Sequence, residues 1–362
     1  MEEILVARTE AGNLIYLTNP YSAKELTGLK AVHQFFCPDC DSKVLLKIGE
    51  IKIPHFAHKS TALCGNGEPE SSLHLQGKML LHQFFADKRI SAELETYLPE
   101  IRQRADVLVE RKSVIEFQCS PIASTDVVRR SAAYSRLGLH FTWIVGIKES
   151  RENKIQILNI KEYQREMILR QDHLSYLLLL NPAMKQFQYY SNLFHISGSR
   201  WIGKVASISM DLQSYPFAMP RPLARNDFDS VCAVFLKARN DFIRSQFFAK
   251  KRYQNPFWIL CYELGLDMRN LPQIIGVPIR GAESVAGNAV IWQLQLARAK
   301  RLGISYENLL SSGKIKLQKQ QDTDKALRVL KDYADFLDEM EAGEWMSAKQ
   351  RDVLYDIYCK SV

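Results

Sequence analysis

The sequence predicts an α/β protein: a mixed sheet with helices, preceded by a small β-rich module and followed by a mainly α-helical region. Three observations carry this. Residues 66–160 run in the order helix, three strands, helix, strand, which is an α/β sandwich ending in a parallel crossover. Residues 1–65 are short apolar runs broken by turns, and they hold a crowd of cysteines and histidines. Beyond residue 160 helical periodicity dominates. The chain therefore divides into units at 1–65, 66–160 and 161–362.

In the first unit ILVAR and LIYLT flank Ala11-Gly12-Asn13 as a hairpin. Ser22 with Glu25 three residues later has the form of a capping box that opens a short helix. Two strands, VHQFF and KVLLKI, bracket Cys37-Pro38-Asp39-Cys40. In the second unit Leu73, Leu80, Leu81, Phe84 and Phe85 give residues 70–88 a helical stripe. Strands follow at 92–98, 105–110 and 113–118, the last two joined so tightly that they form a hairpin. A helix from about Ser124 to Leu137 stops at Gly138 and leads into the apolar strand HFTWIVGI. In the third unit residues 162–180 form an amphipathic stretch, and Pro182, the 197–214 segment and the prolines at 216, 220 and 222 mark irregular structure. Helices are expected over 227–262, 283–302, 322–342 and 347–360.

The 362 residues are 46% hydrophobic and 24% charged, a composition that argues against wholesale disorder. The net charge of +8 suits a polyanionic partner without specifying one. Apolar runs fall far short of the ~20 residues of a spanning helix, and the start MEEILVARTEAG lacks the basic and apolar regions of a signal peptide. No membrane role is expected. Seven cysteines, three of them within residues 37–64, fit one Cys/His metal site in a cytoplasmic protein better than a disulfide framework.

The hairpin carries the chemistry. In RADVLVERKSVIEFQCS, Asp106 opens one strand, while Glu116 and Gln118 share a face of the next with Phe117 opposite. A carboxylate within so apolar a strand is costly to bury without a cation. A divalent ion held by Asp106 and Glu116, Mg²⁺ or Mn²⁺, would supply one. The competing reading is two unrelated edge carboxylates. The acid followed by E-x-Q resembles the PD-(D/E)XK nuclease superfamily (a restriction-endonuclease-like core), in which an acid on one strand precedes E-x-K on the next. That resemblance implies a further glutamate on the preceding helix, for which Glu70 is the candidate, with His74 one turn on. Gln118 stands where the superfamily has lysine, so the charge that orients water and stabilises the phosphate is missing. Either Gln118 positions the water, or a basic residue enters from elsewhere, or the chemistry is weakened. Lys78, Arg129 and Arg130 are the candidate cations and DNA contacts. Tyr134 reads as a core aromatic or as a site residue.

Cys37 and Cys40 form a C-x2-C pair, and His55, His58 and Cys64 follow in HFAHKSTALC. These are the ligands Zn²⁺ prefers, and five candidates compete for four places; a local bend is needed for His55 and His58 to converge. Together the CPDC pair, the HFAHKS string, the Cys before Glu-Ser-x-x-His, the D…E-x-Q hairpin and the string Arg129 to Trp143 resemble the competence protein CoiA family over roughly residues 1–150. The resemblance implies a cytoplasmic factor of natural transformation. It would act on DNA after uptake, in homologous recombination, in company with the RecA recombinase; single-stranded or branched DNA is the partner expected. The family shares the glutamine, which leaves open a DNA-binding accessory protein that has lost cleavage.

A last signal lies at residues 237–256, where Lys237, Arg239, Arg244, Lys250, Lys251 and Arg252 face a single acid, Asp241. Phe242, Phe247, Phe248 and Tyr253 are interleaved. Cations that follow phosphates and rings that stack on bases suit single-stranded DNA, and Arg244, Lys250, Lys251 and Arg252 are the candidate contacts. The alternative is a buried helix stripe at Phe242 and Phe248 with a solvated charged face.

Overall fold

The computed structural model describes residues 3–17, 21–38, 40–49, 53–58, 71–171, 174–318, 323–340 and 348–360. Six short strands form the first sheet: β1 (Glu3–Ile4), β2 (Val6–Thr9), β3 (Leu14–Tyr16), β4 (Phe35–Phe36), β5 (Lys43–Lys47) and β6 (His55–His58). Their order is β1-β6-β5-β4-β2-β3, all neighbours antiparallel. Helix α1 (Ala23–Val32) begins at the expected capping box: Glu25 N–H donates to Ser22 Oγ at 3.3 Å, and Ser22 N–H to Glu25 Oε2 at 2.7 Å.

The second sheet is larger than the sequence suggests. Helix α2 (Ser72–Asp87) leads into β7 (Ala92–Leu98), β8 (Gln103–Val109) and β9 (Ser113–Gln118). Helix α3 (Ser124–Arg136) crosses to β10 (His140–Gly146), which lies parallel to β9. The chain then continues in strands: β11 (Ile155–Asn159), the short α4 (Glu162–Arg165), β12 (Leu169–Gln171), β13 (Leu174–Asn181), β14 (Gln186–Ser197) and β15 (Arg200–Ser209). The order β11-β15-β14-β13-β10-β9-β8-β7 makes one continuous sheet, with β12 beside β13. The expected boundary at residue 160, and the amphipathic reading of 162–180, are thus corrected. LSYLLLLN in β13 is buried nearly throughout, and an apolar run of that length has no periodicity to separate a strand from a helix.

Helix α2 covers one face of this sheet, where Leu81, Phe84 and Phe85 meet Val107, Ile115, Phe117 and Ile144. On the other face Val127 of α3 joins Trp143 and Val145, and Tyr134 joins Leu108 and Val114. The remaining helices are α5 (Arg225–Gln246), α6 (Pro256–Leu264), α7 (Ala289–Arg301), α8 (Tyr306–Ser311), α9 (Thr323–Glu339) and α10 (Ala348–Lys360). Their core includes Phe194, Ile196 and Ile202, so they pack on the β14–β15 end of the sheet. The helix expected over 227–262 is two helices, separated by a turn at 247–255 before Pro256. Among the described residues no helix is long and apolar enough to cross a membrane.

Candidate active site

Strands β8 and β9 pair only from Val107↔Ile115 to Val109↔Ser113 and then separate. The next step of the ladder would set Asp106 opposite Glu116. Instead the Phe117 N–H donates to Asp106 Oδ2 at 2.8 Å, so a side chain stands in for the missing backbone acceptor. The result is a fork with a carboxylate on each prong. Glycine sets the approach of α2 to it. A Cβ on Gly77 would lie 1.8 Å from the buried Phe117 ring. With the helix this close, His74 Nε2 comes within 3.4 Å of Asp106 Oδ2. Burial raises the Asp106 carboxyl, but His74, with Lys78 and Arg130 behind it, outweighs this and holds it well below the usual carboxylate range.

Glu116 is only 1% exposed and faces α3, as strand alternation requires with Phe117 on the α2 side. Arg130 reaches both its oxygens at 2.6 Å, and the Tyr134 hydroxyl donates to Oε1. The four-residue spacing puts Arg130 and Tyr134 on one stripe of α3. Burial drives the Glu116 carboxyl up to about 7; Arg130 pulls it back, the Asp106 charge pushes it further up, and Tyr134 opposes the rise. Burial works against the charge on the Arg130 guanidinium, but Glu116, Tyr134 and Asp106 together outweigh it, and the group stays protonated. Gln118 shares the Glu116 face, but its Nε2 turns away to donate to Ser120 O at 2.8 Å.

The buried Glu116 and the part-buried Asp106 carboxylates are hard donors of the kind Mg²⁺ or Mn²⁺ takes. Glu116, raised by burial and by a like charge, is a group that a further cation would stabilise. The donor set fits such an ion.

In the first module Cys37, Cys40 and His58 bring their ligand atoms within 4.8 Å of one another. Cys40 Sγ lies 3.4 Å from His58 Nε2. The guanidinium of Arg104, on β8 two residues before Asp106, lies 3.7 Å from Cys37 Sγ. Two thiols and an imidazole fit a metal that favours soft and borderline donors.

The comparisons with known proteins divide the chain in the same way. Models of the competence protein CoiA match its N-terminal domain at residues 18–66, its nuclease-like domain at 70–218 and its C-terminal domain at 233–338. The chain belongs to the CoiA family. It is similar to competence protein CoiA of Bacillus subtilis (strain 168), with 26% identity over 268 residues, 72% of this chain and 70% of that one. No solved structure matches. A role in competence follows from the family, and the fork lies within the nuclease-like domain of CoiA, the Cys/His cluster within its N-terminal domain.

Against that division the sequence-predicted residues sort clearly. Asp106, Glu116, Arg130 and Tyr134 converge on the fork, while Gln118 follows on the same strand with its amide on Ser120 O. Arg129 points outward and pairs with Asp126, one turn away on α3. Lys78, expected to contact DNA, is 1% exposed and bound to Glu95 Oε1 at 2.6 Å, so it cannot meet a phosphate at the surface. His55 does not join the cluster. It is three residues from His58 on a regular strand, which puts it on the opposite face; its Nδ1 meets Ile53 O at 2.9 Å and its Nε2 lies 3.8 Å from Glu3. Glu70 and Cys64 lie outside the described residues.

Sequence reasoning missed Glu95. Its backbone is left-handed (φ 50), and its carboxylate accepts from Leu5 N–H (2.9 Å), Val6 N–H (3.2 Å) and Lys78. It ties the first module to the nuclease-like domain beside Asp106. In AELETYL it reads as one of two glutamates at strand spacing, with Glu93, which does not foretell a left-handed residue.

Proposed function

We propose that this protein is a metal-dependent deoxyribonuclease of the PD-(D/E)XK type that acts on DNA taken up during competence, at the stage of homologous recombination. The observation that carries the reading is the fork: two strands part at Asp106 and Glu116, leaving one part-buried and one buried carboxylate at the split. Asp106 and Glu116 would hold Mg²⁺ or Mn²⁺, with Glu70 a further candidate ligand by the resemblance to that superfamily. Such an ion supplies Lewis-acid stabilisation of the phosphate and makes water a better nucleophile at neutral pH. Arg130 supplies the positive charge that Gln118 lacks: it is permanently ionised and a quarter exposed, and it carries further N–H donors for a phosphate oxygen. Tyr134 fixes Glu116 for its role, and His74 does the same for Asp106. We further assign Zn²⁺ to Cys37, Cys40 and His58, with Cys64 the candidate for the fourth place, as a structural ion.

One observation favours a second reading. The Gln118 amide is turned to its own backbone rather than into the fork, which suits a DNA-binding accessory protein of the RecA recombinase that no longer cuts. Purified protein incubated with single-stranded, duplex and branched DNA, with Mg²⁺, Mn²⁺ or EDTA, separates the two. Metal-dependent cleavage that Asp106→Ala and Glu116→Ala abolish is expected. No cleavage of any substrate, with DNA binding retained in both variants, would sink the nuclease reading and leave the accessory one.

A further inference from the structure

Away from the fork, cations and aromatic rings gather where α5 gives way to α6. The turn between them is pinned. Trp258 Nε1 donates to Gln246 O at 3.0 Å, Asn255 Nδ2 to Gln246 Oε1 at 3.1 Å, and Arg252 to Phe247 O at 2.7 Å. Arg252 also lies over the Trp258 ring at 5.0 Å. From this fixed base Phe248 projects with 85% of its surface exposed and Tyr253 with 74%, and Lys250 and Lys251 are exposed between them. The buried-stripe alternative is excluded for Phe248, although Phe242 does pack against the helical core. Large rings left this open add nothing to a core and cost hydration.

A cavity of about 390 Å³ opens beside the turn. Asn240, Arg244 and Phe247 line one wall, and Arg269, Asn270 and Gln273 the other. Its lining offers amide donors and acceptors, guanidinium charge and one ring, and Gln273 Oε1 has no hydrogen-bond partner. Two carboxylates are close by. Asp241 pairs with Arg244, and Asp267 accepts from the Arg269 N–H at 2.9 Å. Its size lies toward the small end of ligand pockets, roughly 300–1,000 Å³, and suits one base with its sugar.

We propose that this face binds single-stranded DNA. The cavity receives one unstacked base, Phe248 and Tyr253 stack on its neighbours, and Lys250, Lys251 and Arg269 follow the phosphates. Duplex DNA is disfavoured as the ligand because its base faces are already covered by stacking, leaving nothing for exposed rings to meet. The inference rests on the DNA-acting reading above and names the form of DNA that the C-terminal domain holds.

The test is fluorescence anisotropy of a labelled oligodeoxythymidylate with the full chain in EDTA, where cleavage plays no part. Phe248→Ala and Tyr253→Ala should each weaken binding about tenfold and leave duplex binding as it was. Lys250→Gln with Lys251→Gln should flatten the salt dependence of single-strand binding by roughly 1.4 in the log–log slope, at ~0.7 per phosphate contact. All four side chains are exposed, so the variants are expected to fold. Parental affinity in the Phe248→Ala/Tyr253→Ala double variant overturns the proposal, as does an equal loss on single-stranded and duplex DNA. If no cleavage is ever found but the two rings still carry the binding, only the nuclease reading fails.

Discussion

The carboxylate fork and the Cys/His cluster meet on one strand, β8, and they balance their charge differently. At the fork the protein supplies its own partners for the carboxylates: His74 lies against Asp106, Arg130 holds Glu116, and Lys78 is bound to Glu95 alongside. At the cluster Cys37, Cys40 and His58 crowd together with the guanidinium of Arg104 at their edge. A site that brings its own counter-charge is formed when the chain folds. A site built of thiols gains its main cohesion when an ion deprotonates and binds them. The difference teaches that the two sites should respond in opposite ways to loss of metal.

The largest effect expected is at the cluster. Structural zinc contributes about 10–16 kcal/mol of apparent binding free energy in small metal-folded peptides. Chelation, or Cys37→Ser, should therefore unfold the β4–β6 part of the first sheet while the second sheet stays intact. Hydrogen exchange resolved by segment is the measurement. Exchange in β4–β6 that does not change on chelation would break the comparison, because the cluster would then be a packed core of thiols.

At the fork the expected effect comes from removing a side chain. Arg130→Met leaves Glu116 buried without its cation and should cost about 3–5 kcal/mol in urea unfolding without added metal. Adding Glu116→Gln should restore more than half of that loss, and Mg²⁺ should partly restore the single variant. If the double variant is as unstable as the single, Arg130 acts through packing, for it also lies over the Trp143 ring at 5.5 Å. A smaller change tests how the fork is held. Gly77→Ala places a methyl inside the Phe117 ring and should cost ~1–3 kcal/mol, moving His74 away from Asp106. The His74 imidazole resonance by NMR should then shift, and a variant with parental stability would show that α2 has room to spare.

These sites differed in how far the sequence revealed them. Asp106 and Glu116 stood out because charge interrupts two apolar strands joined by a tight turn, and alternation alone placed Glu116 opposite Phe117. Arg130 and Tyr134 were visible as residues, but only the fold shows that the α3 crossover brings their stripe onto Glu116. The link between Glu95 and Lys78 had no signal, because it depends on one residue taking a left-handed backbone. Strands β13 and β14 were hidden for a different reason. They are buried on both faces, which erases the alternation that marks a half-exposed strand. At the α5–α6 turn composition pointed to the charges and rings, whereas the exposure of Phe248 depends on where α5 stops.

The smallest expected effect is a null one, and it tests the geometry of the cluster most directly. His55 and His58 look equivalent in HFAH, yet β6 runs as a regular strand paired to β5 with Lys47 opposite His55 and Val44 opposite His58. An odd spacing on a strand sends the two imidazoles to opposite faces. His58 meets Cys40, while His55 turns to Ile53 and Glu3. Metal analysis of the purified variants should therefore show His58→Ala depleted of zinc and His55→Ala with the parental content. Were His55→Ala the depleted one, β6 would have to bend in the metal-bound protein and the ligand set would pass to the other face. Equal depletion in both would mean that the ion draws the strand out of register, and the three-residue cluster would be only the metal-free arrangement. A parental content in His55→Ala leaves Cys64 as the candidate for the remaining place, because among the five residues the sequence offered it is the last that strand parity does not turn away.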